Sequence, residues 1–483
     1  MQFLIVIRIL GILLMVFGLT FIPPWLVGWV MGDANLTPFT LSFVISVTLG
    51  GILWSLTRNY RRELKLRDGL LIVVSFWVVL GLIGSTPIYL QPELGLSFTQ
   101  AVFESVSGIT TTGATVITGL DELPRSLLFY RQQLQWLGGL GIIVLVVAFL
   151  PLLGVGGMQL YKGEMTGPIK DSRLSGRISE TAKVLWLVYT GITVLCALVY
   201  KIGGMNWFDA VSHAFSTVAT GGFSTHDASF GYFQSPSMQV AAMIFMILGA
   251  MPMALHFIAL RHGSLRAYWK SAEVRFYFGW MAAIAAMVVV FFLVNLPDGS
   301  WLETVRLNLF NLVSFATTTG YTATDHTAYG PFLMLLLVMT TVIGGCAGST
   351  TGGMKSVRVM LLARQGFHEV RRLIHPHAVF VIRLSGRPLD PGVISAVWAF
   401  FAAWMFTFLF FFFAMLFTGM DIESALGAVL ATLANLGPGI GSVASNFAGE
   451  SDTVLWLGMM AMILGRLEIF TVLAILLPMF WRR

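Results

Sequence analysis

Four stretches of this 483-residue chain end in oxygen-rich tripeptides: Thr111-Thr112-Gly113, Thr220-Gly221-Gly222, Thr318-Thr319-Gly320 and Asn435-Leu436-Gly437. Their residue types suit the binding of a dehydrated alkali cation. Such an ion needs oxygen ligands in place of its water, and backbone carbonyls turned toward a common axis supply them. Glycine permits the dihedrals that turn a carbonyl inward and lets several backbones approach one another. Threonine adds a hydroxyl oxygen. No ring of carboxylates accompanies the tripeptides, as a divalent-cation site would favour.

A second group of residues lies in a broken apolar run. Gly344, Gly345, Gly348, Gly352 and Gly353 interrupt the stretch 331–364, with Ser349, Thr350 and Thr351 among them and Lys355 just after. Five glycines in ten residues should break a helix. Backbone freed at membrane depth must line water or find protein partners, so this loop is expected to face the ion path below the tripeptides and to act as a gate. Gly344, Gly348 and Gly352 also fit a close helix-packing motif, which is the alternative. A phosphate-binding loop is a poor match, because Met354 separates the last glycine from Lys355 and no strand precedes it. Arg466 is the one basic residue deep in an apolar run. Arg466 lies 16 residues before Arg482, about 24 Å at 1.5 Å per residue, too far for comfortable snorkelling. An intramembrane charge marks a functional site by default. The expected partners of Arg466 are carbonyls of the glycine loop, which would make it an electrostatic barrier in the closed gate. An ion pair with Glu468 of another helix or subunit is the alternative.

The elements that must position these residues are membrane spans. Apolar residues make up 57% of the chain and charged ones 11%, against roughly 25% charged in ordinary soluble domains; mean hydropathy is +0.82. This excludes a soluble globular protein and a disordered one, and two cysteines exclude a disulfide scaffold. Runs of about 20 apolar residues occur near 3–31, 40–57, 69–90, 132–158, 184–201, 237–260, 275–296, 331–364, 393–418 and 453–480. The first is read as an uncleaved span. Ten spans would put both termini on one side.

Each tripeptide closes a semi-apolar segment of about a dozen residues, at 101–113, 210–222, 308–320 and 425–437. Segments of that length re-enter a bilayer rather than cross it. The terminal glycines are 109, 98 and 117 residues apart, a period that suits a module of span, half-span and span. The expected fold is an all-α polytopic membrane protein. It has four span–pore-loop–span repeats with pseudo-fourfold symmetry and two extra N-terminal spans. The expected boundaries are 1–67 for the two spans, then 68–158, 159–262, 263–364 (with the broken last helix) and 365–483 for the repeats.

Together with Ser107-Gly-Ile-Thr-Thr-Thr-Gly-Ala-Thr115, Gly221-Gly-Phe-Ser-Thr-His-Asp227, Gly344-Gly-Cys-Ala-Gly-Ser-Thr-Thr-Gly-Gly-Met-Lys355, Asn435-Leu-Gly-Pro-Gly439 and Gly465-Arg-Leu-Glu468, this pattern resembles the Trk/Ktr/HKT superfamily of potassium transporters, specifically its TrkH-type membrane subunit. The resemblance covers essentially the whole chain. It implies one filter glycine per repeat (Gly113, Gly222, Gly320 and Gly437) and potassium as the transported ion, since glycine in the first repeat goes with potassium and serine there with sodium. It also implies a homodimer on a cytosolic nucleotide-binding regulatory subunit of TrkA type, with the nucleotide on that partner and no cofactor on this chain. Met251-Pro252-Met253 departs from the family pattern, which is more polar there. The expected function is potassium uptake across the bacterial cytoplasmic membrane. Sodium transport or proton-coupled symport is the alternative within transport. A membrane-embedded enzyme or sensor is disfavoured because no charged catalytic cluster falls at membrane depth.

The remaining polar residues carry weaker signals. His375-Pro-His377 looks like a metal-ligand pair but reads as a solvated basic loop. His226-Asp227 is expected to order the outer mouth. Asn35-Leu-Thr37 is a glycosylation sequon by pattern only. Arg173, Arg177, Arg266, Arg371 and Arg372 lie in loops open to a cytosolic partner or serve topology alone.

The net charge of +6 hides a separation. With the spans in place, 24 bases fall on the side of loop 58–67 and four (Arg125, Arg131, Lys201 and Arg306) on the other. The positive-inside rule puts the first side, and both termini, in the cytoplasm. The opposite side carries 14 acids, a surplus that concentrates cations at an outer mouth and argues for cation uptake rather than for a nucleic-acid partner.

Overall fold

The computed structural model of the chain describes residues 2–60, 65–153, 178–295, 301–376, 381–385, 387–467 and 469–482; side chains are not described at 66, 142–153, 178–181 and 387. Arg173, Arg177, His377 and Glu468 lie outside the described residues.

The architecture is helical apart from a two-residue ribbon, Arg383–Leu384 against Arg387–Pro388. Among the described residues, six helices are long and apolar enough to cross a bilayer alone: Phe3–Met31, Thr37–Thr57, Arg67–Tyr89, Ala182–Ile202, Ala272–Asn295 and Pro391–Phe417. Their apolar faces look outward. Only 22% of the apolar window of Pro391–Phe417 is buried in protein, and Phe406, Phe410 and Phe417 are exposed, as a lipid-facing surface requires. The first two spans meet through small residues. A Cβ on Gly50 would fall 2.6 Å from the Gly11 carbonyl oxygen, and the Ser46 hydroxyl donates to Leu14 O at 2.8 Å. This close backbone approach is how helices associate without a hydrophobic driving force.

Two further spans depart from the straight helices expected at 237–260 and 453–480. Pro236–Ala250 and Met253–His262 meet at 102°, and Asp452–Arg466 and Ile469–Leu476 at 114°. The first bend has a local cause in Pro252, which has no N–H to continue the helix. Leu248 O is satisfied instead by Met251 N at 3.2 Å and His256 Nε2 at 2.9 Å. In the second, Gly465 lies so close to the pore segment that a Cβ there would be 2.1 Å from Leu433 O. The bend removes the basis of the 24 Å depth assigned to Arg466.

Four short helices occupy the re-entrant stretches: Phe98–Ile109, Trp207–Val218, Trp301–Ala316 and Ile422–Leu433. Three have 12 residues, about 18 Å of helix against a hydrocarbon core of about 30 Å. Three begin at side-chain caps. The Ser97 hydroxyl accepts from Gln100 N, Asn206 Oδ1 from Asp209 N and Asp421 Oδ1 from Ser424 N. These caps satisfy amides that a helix start would otherwise leave free. Unlike the spans, the three 12-residue helices are mostly buried; ten of the twelve residues of Phe98–Ile109 are inside, eight of Trp207–Val218 and nine of Ile422–Leu433.

Candidate functional site

All four short helices end the same way. The second residue after each helix adopts a left-handed conformation: Thr111 (φ 53°), Thr220 (51°), Thr318 (51°) and Asn435 (52°). The next amide but none nearer reaches back five residues, as Thr112 N to Ser107 O, Gly221 N to Ser216 O, Thr319 N to Ser314 O and Leu436 N to Ala431 O, at 2.7–2.9 Å. Two residues past each left-handed residue a glycine follows with φ 80–102°: Gly113, Gly222, Gly320 and Gly437. A β-branched residue at positive φ is a true outlier, and such strain is kept at functional sites by the surrounding structure. Three threonines hold it here at equivalent places.

The four segments close on one another. A Cβ on Gly113 would sit 2.1 Å from Gly221 O, on Gly222 2.0 Å from Thr319 O, on Gly320 2.0 Å from Leu436 O, and on Gly437 2.8 Å from Thr112 O. Each glycine therefore faces the carbonyl just ahead of the next segment's glycine, and the fourth returns to the first. Only a closed ring gives that cycle. All twelve residues proposed from sequence thus come together.

The ring is not fourfold in its side chains. In the first and third segments threonine hydroxyls pair at 2.8 Å, Thr110 with Thr112 and Thr317 with Thr319. In the fourth, Asn435 Nδ2 donates to Thr112 Oγ1 at 2.9 Å and Met462 O at 3.0 Å. In the second, Gln135 from the neighbouring span takes over. Its Nε2 donates to Gly221 O at 2.6 Å and its Oε1 accepts from Phe223 N at 3.1 Å.

The glycine loop lies directly beneath this ring. Gly344 ends Pro331–Ile343. Gly345 N donates to Thr351 Oγ1 at 3.1 Å and Gly345 O accepts from Ser356 N at 2.9 Å. Gly348 O accepts from Met253 N at 3.2 Å. Gly352 N donates to Thr318 Oγ1 at 2.7 Å, and Gly353 N to Ala434 O at 3.1 Å. A Cβ on Gly352 would meet Ala434 O at 2.1 Å, so glycine is required by the approach alone. Lys355 caps Ser356–Ile374 and donates its Nζ to Thr351 O and Oγ1. Arg466, 7% exposed, donates Nη2 to Thr350 O at 2.6 Å and to the Thr111 hydroxyl. Thr350 Oγ1 completes the set, at 3.1 Å from Thr220 Oγ1. The innermost threonine of each of the first three segments is thus tied to the loop or to Arg466.

Met251-Pro252 acquires a role in this arrangement. The carbonyls that Pro252 frees bind the glycine loop: Ala250 O accepts from Cys346 N at 2.9 Å, and Gly249 O from Thr350 Oγ1 at 3.1 Å. On the far side of the loop, buried Glu273 accepts from Ala347 N, Ser356 Oγ and Val357 N at 2.7–3.1 Å. It anchors the start of Ser356–Ile374, where a carboxylate also complements the helix dipole.

Behind the ring lies a pair absent from the sequence-based site. Glu104, 0% exposed, and Arg131, 1%, form an ion pair at 2.8 Å. The carboxylate also accepts from Thr115 Oγ1 and Val116 N at 3.0 Å. The guanidinium donates to Ser224 O at 3.2 Å and lies 4.3 Å over the Phe223 ring. The pair thus braces the chain leaving both the first and second segments. Removing one partner of a buried pair strands the other charge and typically costs about 3–5 kcal/mol. Arg131→Ala should therefore lower the unfolding temperature sharply in detergent, and adding Glu104→Gln to it should recover part of the loss.

The outer loops of these segments are cross-linked. His226 Nδ1 meets Asp121 Oδ1 at 2.5 Å and Nε2 meets Asp209 Oδ2 at 3.4 Å. The ring stacks on Tyr232 at 3.5 Å, and Gly119 N donates to Asp227 Oδ1 at 3.0 Å. His213 and Phe233 complete its surroundings. Burial disfavours the charged ring, but Asp209 and Asp121 outweigh it and hold the His226 pKa above the usual histidine value. The stabilisation is complete below the unfolded-state pKa of about 6.5 and is lost as pH rises through the raised folded-state pKa. The unfolding temperature should fall across that alkaline window, and His226→Ala should remove the dependence. A linear dependence on pH with no histidine contribution would refute the pairing.

Among the described residues no group of three or more His, Cys, Asp or Glu could hold a metal ion. Asn35 Oδ1 accepts from Thr37 N at 3.1 Å, closing a local turn.

Re-entrant helices ending in a closed ring of backbone, set among apolar spans, define an integral membrane protein of the pore-loop class. The family described as TrkH, a cation transport protein, matches residues 36–482. The chain is 48% identical to the Trk system potassium uptake protein TrkH of Salmonella typhimurium over 484 residues, all of both chains. It is 47% identical to that of Halomonas elongata over 478 residues, 99% of each. The crystal structure of the potassium transporter TrkH from Vibrio parahaemolyticus superposes with a TM-score of 0.92 at 45% identity, covering both chains completely. The chain belongs to the TrkH family of cation transport proteins.

Proposed function

We propose that this chain takes up potassium across the bacterial cytoplasmic membrane through the ring at Gly113, Gly222, Gly320 and Gly437. The closed cycle of glycine-to-carbonyl contacts carries the reading, because it gathers four backbones where a dehydrated cation would find oxygen ligands. The names of the relatives, each a potassium uptake or transport protein, support the choice of ion. The 24-to-4 split of bases supports both termini in the cytoplasm and the ring's approach from outside. Inward movement then gains about 2.3 kcal/mol per charge per 100 mV of inside-negative potential.

The loop 344–353, Lys355 and Arg466 form the gate, closed in this conformation. Their bonds to Thr111, Thr220 and Thr318 occupy the inner end of the ring. Opening requires those bonds to break together, and Ser356–Ile374, anchored through Glu273, is the lever that leads from the loop to the cytosolic side. The relatives belong to a named Trk system, which supports a separate regulatory component. That component is a cytosolic nucleotide-binding subunit under a homodimer of this chain, and it pulls the lever. The test is potassium and rubidium flux into liposomes holding the purified chain with that subunit and nucleotide. No cation flux would refute the transporter reading.

A further inference from the structure

We propose that Gln135 is a specificity-determining residue, setting the strength of the second segment's carbonyl as an ion ligand. The inference rests on the ring being the potassium filter. The four carbonyls that face the glycines belong to Thr112, Gly221, Thr319 and Leu436. Among the described residues, Gly221 O alone receives a hydrogen bond, from Gln135 Nε2 at 2.6 Å. The same side chain accepts from Phe223 N at 3.1 Å, so it holds the backbone on both sides of Gly222.

The sequence makes room for it. Where the other segments carry Thr112, Thr319 and Leu436, the second carries Gly221, and a Cβ there would lie 2.5 Å from Gln135 Cδ. Gln135 fills the space of the missing side chain and adds what none of the other three has, a donor on the ring carbonyl. Gln135 is 0% exposed, so water does not compete for its amide. Its helix, Arg125–Leu153, follows the first segment; one module thereby tunes the next.

A carbonyl that already accepts an N–H is a weaker ligand for a cation. The smaller, more strongly hydrated sodium ion demands a stronger field than potassium does, and ligand number and field strength are one basis of selectivity between them. With one of four ligands weakened and fixed in place, the ring disfavours sodium. Freed from Gln135, Gly221 O gains field strength and freedom to close on the smaller ion.

The experiment is a bi-ionic reversal potential, potassium against sodium, on the full chain in liposomes with its regulatory subunit and nucleotide present. Gln135→Leu removes both bonds and should lower the potassium-to-sodium permeability ratio about tenfold while potassium still passes; tenfold corresponds to about 1.4 kcal/mol, the scale of one hydrogen bond. Gln135→Glu keeps the acceptor for Phe223 N but, ionised, has no donor. Burial at this site raises a carboxyl's pKa above its ordinary value of about 4.3, so the variant's ratio should be low at about pH 8.5 and recover towards about pH 5.5 as the introduced group regains a proton to donate. Should Gln135→Leu fail to fold, the pH profile of Gln135→Glu stands as the test. A ratio equal to the unsubstituted protein's in both variants would overturn the proposal, as would a Gln135→Glu ratio independent of pH. Absence of any cation flux in the unsubstituted protein would instead refute the transport reading.

Discussion

Arg466→Ala should raise potassium flux through the isolated chain by about one to two orders of magnitude without changing its preference for potassium over sodium. Two effects add. A unit charge about 5 Å from a passing cation opposes it by about 3 kcal/mol at an effective dielectric of about 20, or about a hundredfold in rate. Arg466 also bridges Thr350 O in the loop and Thr111 in the ring, so its loss frees the loop at its contact with the first segment. Thr350 Oγ1 and Gly352 N still tie the loop to Thr220 and Thr318, which is why the increase stays below complete opening. Selectivity is kept because the guanidinium reaches the ring only through the Thr111 hydroxyl, while Gly113, Gly222, Gly320 and Gly437 are held by one another's segments. Arg466→Lys separates the two effects, retaining the charge with a different donor geometry, and should give an intermediate flux. A well-folded Arg466→Ala protein with unchanged or lower flux would refute the gate.

The ring and the loop above all were legible in the sequence because their chemistry is local. Each tripeptide carries its own glycine and its own left-handed residue, and the glycines of 344–353 advertise a break wherever they stand. Gln135 was not legible. Its partners Gly221 and Phe223 lie 86 and 88 residues away, and a glutamine at the start of an apolar run reads as span boundary. The one available signal was Gln132, Gln133 and Gln135 together where a span should already be apolar. Arg131 and Glu104 were assigned to the outer side by counting charges, and a count carries no partner; that Arg131 is one of only four bases there was the hint. The bends at Met251–Pro252 and after Arg466 escaped because hydropathy averages over a break that does not interrupt the apolar run. Pro252 marked the first of them, and its departure from the family pattern coincides with the carbonyls that bind the loop.

Gly113→Ser tests the ring itself and should have the largest effect on ion preference. Gly113 sits at φ 83°, and the new Cβ would fall 2.1 Å from Gly221 O, a distance no real contact sustains. Backbone cannot yield as a flexible side chain would. Either the Gly113 backbone leaves its left-handed conformation, turning its carbonyl away from the axis, or Gly221 O is driven back against Gln135, which already lies 2.6 Å from it. Both outcomes remove or displace one oxygen ligand from the ring. Potassium should lose its advantage over sodium by at least about tenfold, a cost of about 1.4 kcal/mol in relative barrier, while the gate below, which reaches the first segment through Arg466 and Thr111 rather than Gly113, stays closed. Gly437→Ser is the internal comparison. Its Cβ would lie 2.8 Å from Thr112 O, a milder conflict, so its loss of selectivity should be smaller. Equal losses at the two positions, or flux with selectivity unchanged in Gly113→Ser, would refute the assignment of the ring as the filter.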